Sequence, residues 1–180
     1  EWIEKKFRLV NFKTGGDVFK NDINSIVRFE DVTDEYLNKA TPNVGEIVFD
    51  NNLLEADKEI TKWLHGKLGG NIHCLEEIPN IGKRPDAIWN GMYIEYKSPT
   101  TINAIDNRIR SAQKQLSETL IRENNENARR GIVIDISKGQ MSREEAITTI
   151  KNRTFFRLKG DTDVFIKENE ELLAILRFKK

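Results

Sequence analysis

The chain has 180 residues, 38% of them hydrophobic, enough for one ordinary domain with its own core and too few for two large ones. Its 29 Lys and Arg balance 29 Asp and Glu, so no global field draws it to polyanions, and any nucleic-acid surface has to be a local patch. A lone Cys74 excludes an intramolecular disulfide and a cysteine zinc cage, as fits a reducing cytoplasm, and no apolar run reaches the ~18 residues of a membrane-spanning helix. The opening EWIEKKFRLV has charges where a signal peptide would need an apolar block, and its first Glu, in place of Met, is what an excised fragment would show.

In chain order, residues 1 to 50 are mixed. EWIEKKFRLVNF and SIVRFEDV read as two strands or a strand and a helix, parted by the turn signal KTGGD. From Asn52 to Leu68 the apolar positions Leu53, Ala56, Ile60, Trp63, Leu64 and Leu68 keep helical spacing, and the glycines at 69 and 70 stop the helix. NIHCLEEI reads as a strand and PNIGKRP as a loop. DAIWNGMYIEYK is a hairpin turned at Asn90-Gly91. A second long helix carries Ile102, Ile105, Ile109, Ala112, Leu116 and Leu120 on one face. ENNENARR is then a polar loop, GIVIDIS a strand for a sheet interior, and SREEAITTI a helix capped by Ser142. DVFIKENEELLAILRF closes the chain as two strands or a strand and a helix. The order predicts an α/β sandwich with a mixed central sheet flanked by helices.

The hairpin carries the chemistry. Asp86 lies four residues before Asn90 and Glu95 four residues after Gly91, so the pairing sets the two carboxylates opposite each other. Glu95 and Lys97, two apart on one strand, emerge on the same face. Hydrolysis of a phosphodiester needs a water nucleophile, a charge clamp on the phosphate and a stabilised leaving oxygen. Two carboxylates holding Mg²⁺ or a similar hard ion, with a lysine beside them, can supply these. The neutral reading is an exposed Glu95–Lys97 ion pair of a structural hairpin, common and weak.

Pro85-Asp86 followed by Glu95-Tyr96-Lys97 resembles the paired signature of the PD-(D/E)xK nuclease superfamily, with its restriction-endonuclease-like fold, over residues 52 to 136. The resemblance implies a nuclease domain over 51–180, an accessory or N-terminal segment over 1–50, and a further acid on the helix before the hairpin. Glu59 is the first choice and Glu55 the reserve. With Ile60 central, Glu59 falls about 100° to one side and Asp57 about 60° to the other, so Asp57 stays a candidate. The catalytic set is then Glu59, Asp86, Glu95 and Lys97, with Asp86, Glu95 and Glu59 holding Mg²⁺, or Mn²⁺ or Zn²⁺ in its place.

RPDAIWNGMYIEYKSPTT, RIRSAQKQ and GIVIDIS together look like the C-terminal nuclease domains of bacterial polymorphic toxins, above all the tRNase domains of contact-dependent inhibition systems. That likeness implies a secreted or delivered effector that cleaves tRNA in the cytoplasm of a target bacterium and is covered by a cognate immunity protein. It also implies a glutamine on the helix after the hairpin, for which Gln113 matches better than Gln115. Arg110 and Lys114, with Arg108, Arg129 and Arg130, form a candidate phosphate-binding patch whose neutral reading is a solvated helix face. The motif is silent on the sugar, so DNA is the alternative substrate, and a non-catalytic binding module on the same fold is the alternative class. A metal-free RNase built on Lys97, Thr100 and arginines is a further one. His65 and His73 have no ligand partner at metal spacing, Trp63 reads as core, and Trp89 beside the turn as partly exposed.

Overall fold

The computed structural model describes residues 29–80 and 82–180, so the expected elements in EWIEKKFRLVNF and KTGGD lie outside the described residues. In chain order the elements are β1 (Phe29–Asp31), α1 (Thr33–Lys39), β2 (Ile47–Phe49), α2 (Glu55–Leu68), β3 (Ile72–Cys74), β4 (Ala87–Trp89), β5 (Met92–Lys97), α3 (Ile102–Arg122), β6 (Arg130–Asp135), α4 (Arg143–Arg157), β7 (Thr162–Glu168) and β8 (Glu171–Phe178). The eight strands form one sheet in the order β1-β8-β7-β6-β5-β4-β3-β2. β5, β6 and β7 run parallel, with α3 and α4 as their crossovers, and the remaining pairs are antiparallel apart from β2 on β3.

Alternation along the strands sorts the core into two layers. Ile132 and Ile134 of β6, with Val164 and Ile166 of β7, meet the apolar stripe of α3, namely Ile105, Ile109, Ala112, Leu116 and Leu120. Ile94, Tyr96, Val133 and Phe165 point the other way, onto Ile60, Trp63, Leu64 and Leu68 of α2. A strand buried on both faces reads as an unbroken apolar run, which is why IVI in β6 shows no alternation. The result is the expected mixed sheet flanked by helices.

The structure refines the expected elements. β1 and β2, within residues 29–50, pair with β8 and β3 in the same sheet as the other described strands. α2 starts at Glu55 rather than Asn52, and Ala56 is exposed. The C-terminal stretch forms two strands, reversing at Asn169 in a left-handed conformation (φ 52°).

Two turns fix the central hairpin and the end of α2. Asn90 (φ 48°) and Gly91 (φ 84°) are both left-handed, as a two-residue hairpin turn of the right twist requires. Gly69 ends α2 with φ 73°, and a Cβ there would lie 1.9 Å from the Thr41 carbonyl oxygen, whereas one at Gly91 meets nothing within 4 Å. Gly91→Ala is therefore expected to cost about 1 kcal/mol in urea unfolding, from backbone strain alone. Gly69→Ala, which adds the collision, is expected to cost at least about 3 kcal/mol. Equal losses would show that the α2 terminus is not held against Thr41.

Candidate active site

Hairpin geometry brings the two motif acids together. β4 and β5 pair with Ala87 opposite Ile94, and the ladder continues one step further as the Asp86 amide donates to the Ile94 carbonyl at 3.0 Å. Asp86 also uses its carboxylate, Oδ2 accepting from the Tyr96 amide at 2.7 Å. Glu95 is 3% exposed, on the α3 side of the sheet. Its nearest partner among the described residues is Lys97, whose Nζ stands 3.7 Å from Oε1, beyond hydrogen-bond length. Lys97 is itself steadied by α3: Nζ lies 3.3 Å from Gln115 Oε1 and 3.5 Å from Ser111 Oγ.

Burial and like charge govern the titration of this pair. Asp86 is pushed up to about 6, first by burial and then by the neighbouring Asp57 and Glu77, against the pull of the Tyr96 amide and Lys97. Glu95 is raised further, by burial first and the Asp86 charge second, with Lys97 opposing. Asp57 is raised as well, by burial and Glu77. Four carboxylates thus act on one another, with Lys97 and Lys83 as counterweights among the described residues. Two buried carboxylates side by side cannot both ionise unaided, so without a cation the pair keeps a proton near neutrality.

Some expected members lie elsewhere. Glu59 is exposed and lines a separate hollow with Lys62, Trp63, Lys67 and Lys167. The physical reason is its register on α2: one turn on from Glu59 is Trp63, whose indole donates to the Glu170 carbonyl, toward β7 and β8. One turn on from Asp57 is Thr61, buried and 2.7 Å from the Tyr96 hydroxyl, which points that stripe at β5. Gln113 is also displaced. It is fully buried, donating to Thr162 Oγ1 at 2.9 Å and accepting from the Lys159 amide at 3.2 Å. Gln113 and Gln115 sit about 160° apart around the helix, on opposite flanks of the apolar stripe, and Gln115 has the flank facing β5.

The basic patch divides in the same way. Lys114 pairs with Glu118 at 3.4 Å and Arg110 donates to Asn107, both on the solvent face of α3, while Arg130 is buried at the head of β6. Arg108 is exposed and falls within about 40° of the Ser111–Gln115 stripe, nearer to Lys97 than Arg110 by position on the helix. Trp89 is buried: its indole donates to the Gly69 carbonyl at 2.7 Å and its ring stacks on Tyr36, so it offers no platform for a base. His65 Nε2 lies 3.0 Å from the Gly45 carbonyl oxygen, and His73 has an acid partner that spacing concealed, Asp50 at 2.7 Å across the β2–β3 pair. Glu77 was hidden in a stretch expected to be strand, with no periodicity to mark it.

The donor set fits a hard divalent ion. Among the described residues no three His, Cys, Asp or Glu side chains form a ready-made cage. Mg²⁺ asks for less, since one or two carboxylates suffice when water and phosphate complete the shell. Glu95, buried and without a hydrogen bond among the described residues, is the orphaned group such an ion would satisfy. A zinc site is a poorer match, with His73 committed to Asp50 and Cys74 buried against the Asp57 carbonyl.

The fold and site together define a mixed α/β sandwich with a buried acidic pair and a lysine on its central hairpin. No family model matches the chain, and no curated protein does. Among solved structures it is similar to the CdiA-CT/CdiI toxin and immunity complex from Burkholderia pseudomallei, at 17% identity and a TM-score of 0.44, over 76% of this chain and 100% of that one. Among the described residues no helix is long and apolar enough to cross a membrane.

The raised carboxyls make stability depend on pH. A carboxyl whose proton is held more tightly in the folded state stabilises it fully below the unfolded carboxylate range, and that benefit is lost as pH rises through the folded values. In EDTA the protein is therefore expected to melt at a lower temperature at pH 8 than at pH 5. Glu95→Gln should flatten this slope and raise the melting temperature at pH 8, by about 2–4 °C for each kcal/mol recovered. Parallel pH slopes in wild type and variant would remove the buried-acid account.

Proposed function

We propose that this protein is a metal-dependent endonuclease that hydrolyses phosphodiester bonds, a delivered toxin effector that cleaves tRNA and is blocked by a cognate immunity protein. The observation that carries the chemistry is the Glu95 carboxylate, buried beside Asp86 with no hydrogen bond among the described residues and Lys97 only at 3.7 Å. Acids outnumber lysines there by four to two, so a phosphate is repelled unless a cation is taken up with it. The tRNA substrate, the delivery and the immunity partner rest on the sequence likeness of the hairpin, the RIRSAQKQ helix and GIVIDIS.

A divalent ion held by Asp86 and Glu95 would neutralise phosphate charge and lower the pKa of bound water. The chain supplies the rest. The proton of the attacking water leaves to solvent, and Asp86, its carboxylate fixed by the Tyr96 amide, orients that water. Lys97 Nζ, held by Gln115 and Ser111, donates to a non-bridging phosphate oxygen as charge builds there. Asp57 acts through its field, adding to the negative charge around Asp86 that a cation would offset.

Gel-resolved cleavage of total tRNA and of plasmid DNA, each with Mg²⁺, Mn²⁺ or EDTA, tests the reading. Wild type is expected to cut tRNA only with metal, and Asp86→Ala or Glu95→Gln to lower the rate by about 10²–10³-fold. Cutting of DNA instead would move the same site to the other polymer. Cleavage that ignores EDTA would end the metal reading, and no cleavage under any condition would favour a binding module.

The same assay ranks the helix acids and glutamines. Asp57→Asn and Gln115→Ala are expected to slow cleavage about 10-fold or more, as groups that orient or tune the reacting ones do. Glu59→Ala should stay within about twofold, as surface substitutions away from a site do. The reverse ranking would restore Glu59 to the site.

A further inference from the structure

At the end of β6 where the strand begins, a buried charge has no counter-ion at ion-pair distance among the described residues. Arg130 is 7% exposed, and its guanidinium donates through one nitrogen to Ser117 Oγ at 2.8 Å and Gln113 Oε1 at 3.5 Å, both neutral. Among the described residues no carboxylate comes within the 4.0 Å of an ion pair. Asp163, an acid at this end of the sheet, is already held by Arg177 through two bonds of 2.9 and 3.0 Å and by Arg129 at 3.4 Å. Burial presses the Arg130 guanidinium downward, against the more distant fields of Asp161 and Glu126.

The guanidinium opens on a crevice of about 420 Å³ that Arg129, Arg177, Lys179 and Gly160 also line, with Glu126, Asp161 and Asp163 among its acids. Gly160 has no left-handed backbone to explain it. What it offers is room: a Cβ there would sit 2.8 Å from Arg130 Nε and 2.9 Å from its Cζ. A side chain at 160 would seal the arginine from the crevice.

We propose that this crevice binds a phosphate group, with the Arg130 fork as its floor and Lys179 and Arg129 at its rim. A tetrahedral dianion or a backbone phosphodiester offers the two adjacent acceptor oxygens that a guanidinium edge matches. The site is separate from the Asp86–Glu95 pair, and its occupancy does not depend on hydrolysis.

Calorimetric titration with inorganic phosphate, at ionic strength matched with chloride, tests it on wild type, Arg130→Met, Gly160→Ala and Lys179→Ala. Wild type should bind, Arg130→Met should not, and Gly160→Ala and Lys179→Ala should weaken binding about 5- to 10-fold. Arg130→Met should fold at least as well as wild type without phosphate, since it removes an uncompensated buried charge. Lys179 is exposed, so its variant keeps the test open should Arg130→Met misfold. A second arm measures total tRNA binding with each variant in the Glu95→Gln background, where cleavage is blocked. Loss of tRNA affinity of about 10-fold without orthophosphate binding would assign the crevice to the nucleic-acid backbone and support the site. Unchanged phosphate and tRNA binding in Lys179→Ala and Gly160→Ala would overturn it.

Discussion

The burial of Glu95 beside Asp86 is the constraint around which this molecule is arranged. An ionised carboxylate inside a protein needs a partner or loses its charge. Here the sheet places a second acid against it and keeps its nearest cation among the described residues, Lys97, at 3.7 Å. A closer lysine would satisfy Glu95 and silence it. The same hairpin could have carried apolar side chains at both positions with a gain in stability, as buried ion pairs elsewhere often permit. Retaining the acids is the kind of local inconsistency that marks a functional site.

The surrounding elements act on that pair rather than merely covering it. α2 lies across the opposite face of the sheet, yet its first turn reaches past the strand end, so Asp57 adds its field to Asp86 while Thr61, one turn on, is tied to Tyr96. The Tyr96 amide in turn holds the Asp86 carboxylate, which links the acid to the backbone of the strand that bears Glu95. α3, packed on the other face through Ile105, Ile109 and Leu116, holds Lys97 through Ser111 and Gln115. Positioning groups on rigid helices and strands, rather than on loops, keeps the lysine and the acids in fixed register.

How much of this was legible in the sequence depends on which signals are local. The hairpin was, because Asn90-Gly91 is a turn with one favoured geometry, and its register makes Asp86 and Glu95 neighbours by counting alone. The apolar stripe of α3 was legible too. The side chains flanking such a stripe were not: Gln113 lies closer to it and so matches better on the wheel, and only the placement of β5 and β7 beneath the helix gives Lys97 to Gln115 instead. Glu59 and Asp57 pose the same problem on α2. A wheel centred on Ile60 cannot say whether the sheet end or the β7–β8 turn lies above a given flank. The pairing of β1 with β8 joins residues about as far apart as the described chain allows, and no local pattern announces it.

Among the described residues the weakly paired acid and the unpaired arginine explain each other's isolation. Glu95 lies opposite Ile132, and Arg130 lies opposite Tyr93 on the neighbouring strand, so the acid and the arginine occupy diagonal positions on one face of the sheet. A salt bridge between them would be the cheap solution to both burials. The fold withholds it. Ser117 and Gln113 draw the guanidinium along α3 toward the end of the sheet where β6 begins, while Lys97 sits on the other side of Glu95. Gln113 is the pivot, since its amide is fixed by Thr162 and the Lys159 backbone and its oxygen is left where Arg130 can reach it. A buried acid and a buried base that could neutralise each other, and are instead held apart by neutral hydrogen bonds, each stay available for a charged ligand of their own. Under that logic the cation proposed at Glu95 and the anion proposed at Arg130 would complete the electrostatics of one sheet face rather than decorate it.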